Sequence, residues 1–262
     1  MNTLLFDAGN SRFKWALVRD GRLGAQRAVE QGEMREFTAW LARAPGLDHV
    51  AGVNVAGSAV ERALRQALRN SGQPRPQFIT SSAEAAGVRN AYIRPGTLGA
   101  DRWAAAIGAW HGAGCYRTVC AVSIGTALTI DVVDHDGHHR GGLITPGPGL
   151  MVDSLLSRTA RIASAAQARG GRRKAGTRPL LPPLAGATGR AIEEGSLNAA
   201  AALIDRVVTQ VTRQLGTRPV VFITGGASDA VIERLRSACK PTPDLVLRGV
   251  ATIAKVPIRR RA

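Results

Sequence analysis

Short apolar runs separated by glycine-containing turns open the chain. Residues 3–8 and 12–19 carry apolar side chains over lengths that are typical of strands, and a tight turn at 9–11 joins them. After a second turn, a third strand is predicted over residues 22–30. The pattern therefore predicts that the chain begins with a β-hairpin and continues into a further strand.

Helical spacing of apolar residues follows these strands. Residues 33–43 and 58–70 show this spacing, and a strand is predicted between them at 49–55. Ser58 is the predicted N-cap of the second helix, because a serine hydroxyl can accept a hydrogen bond from a free N–H of the first turn. A helix rich in Ala and Trp is predicted over 99–113.

The second half of the chain repeats the opening pattern. A strand, a small polar turn and another strand are predicted over 118–134, and "RGGLIT" is predicted to form a third strand. Helices are predicted over 149–164 and 187–215, while the Gly-, Arg- and Pro-rich segment 165–185 is predicted to be a mobile loop. The strand "PVVFIT" and the turn "GGAS" then lead into a last helix.

This recurrence predicts an internal duplication. We expect an α/β fold with two lobes, each built on a mixed sheet that a hairpin begins. The boundary is predicted near residues 112–117, which gives an N-terminal lobe of residues 1–114 and a C-terminal lobe of residues 115–262. The two lobes are expected to meet at a cleft.

Composition and charge narrow the possible functions. The 262 residues are 45% hydrophobic, which is typical of a globular chain, and the net charge of +16 would attract polyanions. Most arginines are scattered, which favours a solvated basic surface, although clusters occur at 170–178 and 259–262. A nucleic-acid-binding regulator is the alternative from another class of function. Against it, we find no helix-turn-helix signature, zinc-ligand spacing or aromatic-rich RNA-binding sheet, so nucleic acid is not an expected partner.

The cysteines and the N-terminal residues point to a compartment. Cys115, Cys120 and Cys239 are too few for a disulfide framework and have no metal-ligand spacing with the histidines. The sequence begins without a basic segment followed by a long apolar one, and no apolar run has the length of a membrane span. We therefore expect a cytoplasmic protein without a membrane partner.

The first tight turn carries residues that suit phosphate binding. Gly9, Asn10 and Ser11 are small, so backbone N–H groups and a hydroxyl can approach a phosphate closely. Asp7, at the end of the first strand, is placed to hold Mg²⁺ beside that phosphate. The same residue types also form ordinary hairpin turns, so this turn alone leaves both interpretations open.

Two further turns favour nucleotide binding. Thr126 lies in a second glycine-containing hairpin at the start of the second half, and Gly225 and Gly226 follow a strand and precede a helix. One such turn is weak support for a nucleotide site, whereas three in this order are stronger.

Several ordered motifs extend this pattern over nearly the whole chain. They are "DAGNS" (7–11), "PGTLGADRWAA" (95–105), "SIGTALTID" (123–131), "GGLITPGPGLMVDSL" (141–155), "GATGRAIEEG" (186–195) and "FITGGAS" (222–228). In these motifs the chain resembles type III pantothenate kinases, within the superfamily of sugar kinases, actin and Hsp70-like ATPases. The resemblance implies two duplicated ribonuclease H-like lobes, with mixed sheets flanked by helices and an ATP cleft between them. It also implies ATP-dependent phosphorylation of pantothenate, the first step of coenzyme A biosynthesis.

The resemblance also assigns roles to residues. It places the catalytic base at Asp101, which could alternatively be an N-cap, and it places pantothenate contacts at Gly99, Ala100 and Arg102. Arg102 is expected to bind the pantothenate carboxylate. The remaining expected substrate contacts are Tyr92 and Thr188. The expected ATP and phosphate contacts are Asp7, Ala8, Gly9, Asn10, Ser11, Arg12, Phe13, Lys14, Thr126, Gly225 and Gly226.

Metal ions are part of the same expectation. Mg²⁺ is implied with ATP, and Asp7 is its expected ligand. Many relatives have an acid that binds K⁺ or NH₄⁺ where this chain has Ser123, and a neutral serine argues against such activation here. Asp131 is expected to be structural, at the end of a strand.

A homodimer is the final implication of the resemblance, with Thr188 reaching the substrate site of the neighbouring subunit. Alternatively, Thr188 is the N-cap of the long helix at 189–215. Apolar residues are spread widely around that helix, which favours packing of the helix against a second subunit. The alternative is that the helix is buried within its own monomer. The apolar residues are Ile192, Leu203, Ile204, Val207, Val208 and Val211. The alternative enzyme is another kinase of the superfamily, such as a sugar or acyl-phosphate kinase.

Overall fold

The computed structural model describes residues 1–167 and 181–259. The first sheet is formed by β1 (Asn2–Ala8), β2 (Arg12–Arg19), β3 (Arg22–Leu23), β4 (Arg27–Glu30), β5 (His49–Asn54) and β6 (Gln77–Phe78). Its helices are α1 (Arg35–Leu41) and α2 (Ser58–Asn70). A two-stranded ribbon, β7 (Glu84–Ala85) and β8 (Val88–Arg89), and a 3₁₀ turn at Pro95–Thr97 lead to α3 (Ala100–Gly112).

The second sheet is formed by β9 (Val119–Ile124), β10 (Ala127–Val133), β11 (His139–Pro146), β12 (Val220–Thr224) and β13 (Cys239–Pro241). The helices of this half are α4 (Pro148–Arg158), α5 (Ala160–Gln167), α6 (Thr188–Leu215), α7 (Ser228–Ile232) and α8 (Leu245–Ile253). Within the described residues, no helix combines the length and apolar character that crossing a bilayer requires.

The two sheets repeat one topology. The strand order of the first sheet is β3-β2-β1-β5-β6, and that of the second is β11-β10-β9-β12-β13. In each sheet the first strand of the hairpin is central, with the other antiparallel strands on one side and two later strands on the other. In both, the hairpin pairs are antiparallel and the later strands join in parallel. The predicted α/β fold with two lobes and mixed sheets flanked by helices is confirmed.

Several predicted boundaries are wrong in detail. The strand predicted over 22–30 is divided into β3 and β4, and both of these strands pair with β2. The helix predicted over 149–164 is divided at Thr159, whose backbone is extended. Ser58 is the first residue of α2 rather than its N-cap, which is Gly57. The predicted mobile loop overlaps α5, and its residues 168–180, which include the whole basic cluster at 170–178, lie outside the described residues.

Three apolar clusters fill the fold. One packs α1 and α2 on the first sheet through aromatic side chains such as Phe13, Trp15 and Phe37, and another packs α6 on the second sheet. The third is continuous between the sheets, and it joins residues of β1, β5, β9 and β12 to α3 and α8. The two lobes therefore share one apolar core, which is formed around α3 and α8.

The helices α3 and α8 approach each other through glycines. A Cβ added to Gly108 would lie 2.7 Å from the Leu245 carbonyl oxygen, and one added to Gly249 would overlap the carbonyl of Ala104. The two backbones are therefore in direct contact, and any larger side chain would force them apart.

Candidate active site

The tips of the two leading hairpins meet. The Ser11 Oγ, in the turn between β1 and β2, lies 2.6 Å from the Thr126 Oγ1, in the turn between β9 and β10. Each turn is closed by a backbone hydrogen bond, from Gly9 to Arg12 at 3.1 Å and from Gly125 to Ala127 at 3.0 Å. Both hydroxyls are polar groups at an exposed junction of the lobes, where they could bind one shared anionic group.

The glycine turn after β12 joins the same junction. Gly225 has a φ of +113°, and a Cβ there would overlap the carbonyl of Ile124, the last residue of β9. A Cβ on Gly226 would lie 3.9 Å from an Nη1 of Arg12, so the first hairpin also reaches this turn. The structure therefore brings together all three of the turns that the sequence singled out.

Two residues of the expected phosphate-binding set face the core instead. The side chains of Ala8 and Phe13 are fully buried, and Phe13 packs against Phe6 and Phe37. Their side chains cannot contact a phosphate, because adjacent residues of a strand point to opposite faces. Both residues also pair with a strand on each side within the sheet, and the Ala8 carbonyl accepts a hydrogen bond from the Val55 N–H at 2.9 Å.

Asp7 is a buried acid with one free oxygen. Its Oδ2 lies 3.5 Å from the Lys14 Nζ, while its Oδ1 is buried and has no hydrogen-bond partner among the described residues. Burial raises the pKa of Asp7; the nearby Lys14 ammonium opposes this rise, and the negative charge of Asp101 adds to it. The negative charge of Asp101 therefore acts on Asp7 electrostatically.

Asp101 projects from the start of α3. The helix is capped by the backbone at Gly99 and has no side-chain cap hydrogen bond, so the interpretation of Asp101 as an N-cap is wrong. A Cβ on Gly99 would lie only 2.7 Å from the Asp101 Oδ1, so glycine leaves room for this carboxylate. Asp101 is half-buried, so its carboxylate remains accessible to a substrate hydroxyl.

The Asp7 site fits a hard divalent cation by its donor chemistry. A buried carboxylate oxygen without a partner is costly, and an oxygen ligand of this kind suits Mg²⁺ directly or through water. Lys14 on the opposite strand contributes a second positive charge beside the same carboxylate. Mg²⁺ held at Asp7 and the ammonium of Lys14 would together neutralise the negative charge of a nucleotide phosphate.

Arg102 is arranged differently from the sequence expectation. Its Nε and Nη2 donate to both oxygens of Asp131, at 2.9 and 2.7 Å, and its Nη1 donates to the Tyr92 hydroxyl at 3.0 Å. Because two of its three nitrogens are bound to Asp131, only the Nη1 side can face a substrate carboxylate. Asp131 is structural as expected, but it lies inside β10 rather than at its end.

A buried histidine, His139, was missed by sequence reasoning. Its Nε2 lies 2.9 Å from the Asp131 Oδ1, and its ring contacts those of Tyr92 and Trp103. It directly precedes the "RGG" segment of β11, and a Cβ on Gly142 in that strand would overlap Asp131 and Arg102. Gly142, which must be a glycine because it lies against the buried Arg102–Asp131 ion pair, was the one signal in the sequence that could have pointed to this site.

Thr188 lies at the beginning of the long helix of the second half. It is the first residue of α6, and Ala187 is the N-cap, so the N-cap interpretation of Thr188 is wrong. The helix packs on α4 and α5. Its apolar residues are covered by its own lobe: Ile192, Ile204, Val208 and Val211 are buried, and Leu203 and Val207 pack against the same core. The predicted surplus of apolar surface on this helix is therefore absent.

Ser123 lies near the end of β9, between two threonines. In the sheet register it pairs with Thr129 on β10 and with Thr224 on β12. Neither register neighbour supplies the carboxylate that the serine lacks. The position is half-buried and neutral.

Comparisons with known proteins agree on one family. A model of the type III pantothenate kinase family matches residues 3–210. A type III pantothenate kinase of Nitrosococcus oceani is 36% identical over 258 residues, which cover 96% of this chain and 93% of the relative. One of Aromatoleum aromaticum is 39% identical over 253 residues, with 96% and 97% covered. A solved structure from Campylobacter jejuni, assigned to the Baf family of transcriptional activators, aligns with a TM-score of 0.57 at 19% identity, covering 96% of this chain and 97% of its own, and this likeness concerns the fold alone.

Proposed function

The chain belongs to the type III pantothenate kinase family, and we propose that Asp101 is the general base of its reaction. The enzyme uses ATP to phosphorylate pantothenate, in the biosynthesis of coenzyme A. The single observation that carries the assignment of the base is the place of Asp101 in the first turn of α3, where Gly99 leaves room for its carboxylate and the adjacent Arg102 reaches Tyr92.

Two carboxylates with different surroundings suit two different tasks. Asp101 is half-buried at the start of α3, where it can accept the proton of the pantothenate hydroxyl that attacks the γ-phosphate. Asp7 is buried beside Lys14, and its free Oδ1 would hold Mg²⁺. When bound, Mg²⁺ would neutralise charge on the phosphates, and phosphoryl transfer depends mainly on such neutralisation and on positioning.

The three turns would hold the ATP phosphates between the lobes 1–114 and 115–262. Ser11 and Thr126 offer hydroxyls from opposite sheets, and Arg12 reaches towards the turn at Gly225 and Gly226. Asn10 adds a backbone N–H group in the first turn, while the N–H of Gly9 closes that turn by donating to the Arg12 carbonyl. The open backbone of these small residues allows the close approach that a phosphate requires.

Pantothenate would bind on the other side of Asp101. Gly99 and Ala100 present backbone at the start of α3, while Tyr92 and the Nη1 of Arg102 form a polar pair nearby. This pair, rather than the whole guanidinium, is the proposed contact for the carboxylate of pantothenate.

A homodimer would complete this site with Thr188 from the second subunit. The support comes from the edge of the second sheet, since Leu143 and Ile144 of the edge strand β11 are 46% and 64% exposed, and Leu150 and Leu155 of the following α4 are also exposed. An apolar edge strand of this kind is a pairing surface unless a partner covers it. We place the dimer contact there and not on α6.

The proposed setting is the cytoplasm, with Mg²⁺–ATP and little dependence on K⁺ or NH₄⁺. The test is formation of phosphopantothenate from ATP and pantothenate by the purified protein with Mg²⁺. Sugars and acetate serve as competing acceptors, because they are substrates of the alternative kinases. Turnover of pantothenate alone is expected, and phosphorylation of a sugar or acetate without pantothenate turnover would contradict the assignment.

A further inference from the structure

A chain of four side chains crosses from the substrate side of α3 into the second sheet. Tyr92 lies in the loop before α3, Arg102 in α3, Asp131 in β10 and His139 in β11. Their successive contacts measure 3.0 Å from Arg102 to Tyr92, 2.7 and 2.9 Å from Arg102 to Asp131, and 2.9 Å from His139 to Asp131. Arg102, Asp131 and His139 are all buried, whereas Tyr92 is partly exposed.

The hydrogen-bond directions along this chain are fixed by chemistry. A carboxylate only accepts and a guanidinium only donates, so His139 donates from Nε2 to Asp131, and the Tyr92 oxygen accepts from Arg102. The hydroxyl hydrogen of Tyr92 is then directed away from Arg102. Tyr92 therefore presents a hydrogen-bond donor on its exposed side, where an acceptor oxygen of a ligand can bind.

The packing around the chain holds Asp131 in one position. Gly142 of β11 lies so close that a Cβ there would overlap both Asp131 and Arg102. The His139 ring contacts the rings of Tyr92 and Trp103, with centroids 5.9 and 6.4 Å away. Its Nδ1 has no hydrogen-bond partner among the described residues, so the polar contact of His139 shown by the structure is the one to Asp131.

We propose that Asp131 and His139 are positioning residues for substrate recognition, which fix Arg102 so that Tyr92 and the Arg102 Nη1 offer aligned donors to the carboxylate of pantothenate. This inference rests on the proposed function, because it assigns the acceptor to pantothenate. Neither residue touches the reacting atoms. Their effect passes through Arg102 and reaches the substrate at Tyr92.

The test compares two substitutions of His139 that differ in one hydrogen bond. His139→Phe keeps a ring beside Tyr92 and Trp103 but removes the donor to Asp131, while His139→Gln keeps an N–H donor at a similar reach. Ile130→Val is the matched control, because Ile130 neighbours Asp131 on β10 but packs in the core on the opposite face. The readouts are KM for each substrate, kcat, the fraction of active enzyme and the calorimetric affinity for pantothenate.

We expect His139→Phe to raise the pantothenate KM and dissociation constant by roughly 10-fold, the scale of a hydrogen bond to a charged group. The ATP KM and kcat should stay within about 2-fold of the wild-type values, because the lost interaction stabilises bound pantothenate equally in the ground state and the transition state. His139→Gln should recover most of the affinity, and Ile130→Val should resemble the wild type. Asp131→Asn should raise the pantothenate KM in the same direction as His139→Phe.

Two results would overturn the proposal. If His139→Phe had the pantothenate KM of the wild type but a smaller fraction of active enzyme, Asp131 and His139 would only stabilise the fold. If His139→Phe and His139→Gln raised the pantothenate KM equally, the hydrogen bond from His139 to Asp131 would have no role in substrate binding. Failure of the proposed function is distinguishable from both, because the wild type would then neither bind nor phosphorylate pantothenate.

Discussion

The hydroxyls of Ser11 and Thr126 are in hydrogen-bond contact at 2.6 Å, although 115 residues separate them along the chain. Each lies at the tip of the hairpin that begins its sheet. A group that binds one hydroxyl is therefore within reach of the other, which is the basis of the proposed phosphate site shared by the two lobes.

Ser11→Ala and Thr126→Val should each raise the ATP KM by roughly 3- to 10-fold, the scale of one hydrogen bond to a charged group. The double variant should be less impaired than the product of the two effects, because both hydroxyls serve one anion. Initial rates over an ATP series measure this coupling. Thr38→Val, on the exposed side of α1, is the control. Strictly multiplicative effects would show that the two hydroxyls bind separate groups.

Asp101→Asn should leave the fold and ATP binding nearly intact but lower kcat by roughly 100-fold or more, the usual scale for a general base. Asparagine matches the shape of aspartate but cannot accept the proton. Steady-state kinetics and nucleotide calorimetry on the same preparation check both parts. A variant with near wild-type turnover would remove Asp101 from the mechanism.

Asp7→Asn should mainly weaken the productive Mg²⁺–ATP complex. The substitution removes negative charge where the free Oδ1 would face the metal, while the proton acceptor Asp101 remains. We expect the Mg²⁺ dependence to shift to higher concentration and the ATP KM to rise. If only pantothenate binding suffered, the placement of the metal at the first hairpin would be wrong.

Activation by K⁺ or NH₄⁺ should be small in the wild type, because Ser123 and its register neighbours Thr129 and Thr224 carry no charge. Ser123→Asp should increase the stimulation by supplying a carboxylate at that point. Activity is measured with Na⁺, K⁺ or NH₄⁺ chloride at constant ionic strength. Absolute dependence of the wild type on K⁺ would mean that other oxygens build the cation site.

Mixing a Thr188→Val protomer with an Asp101→Asn protomer should restore part of the activity. If Thr188 acts in the site of the neighbouring subunit, each heterodimer contains one site with both residues intact. Activity of the mixture is compared with that of each variant alone after subunit exchange.

Leu143→Glu on β11 provides an independent test of the same interface. The new charge on an apolar edge strand should dissociate the dimer and lower activity. A light-scattering mass of one chain, 27.5 kDa, in a fully active wild-type preparation would contradict the dimer.

Sequence patterns predicted the repeated hairpins and the three glycine-containing turns that the structure brings together, because both depend on local alternation and on small residues in turns. Phosphate binding by these turns stays a prediction. They missed α8, since the apolar run at 245–253 is short enough for a strand and becomes a helix through its packing on α3. They also missed the contact of Arg102 with Asp131, 29 residues away. That contact depends on how α3 lies against the second sheet, which no local pattern encodes.

The packing of α8 has a consequence for dividing the molecule. This helix comes from the last part of the chain, yet it packs against β1 and β5 of the first sheet as well as α3. A fragment that ended at residue 114 would expose Leu5, Val53 and Trp103 to water. The duplicated halves are therefore not independent folding units. The apolar core of the first half is complete only when α8 has been synthesised, so a truncation before residue 245 would also destabilise the N-terminal half.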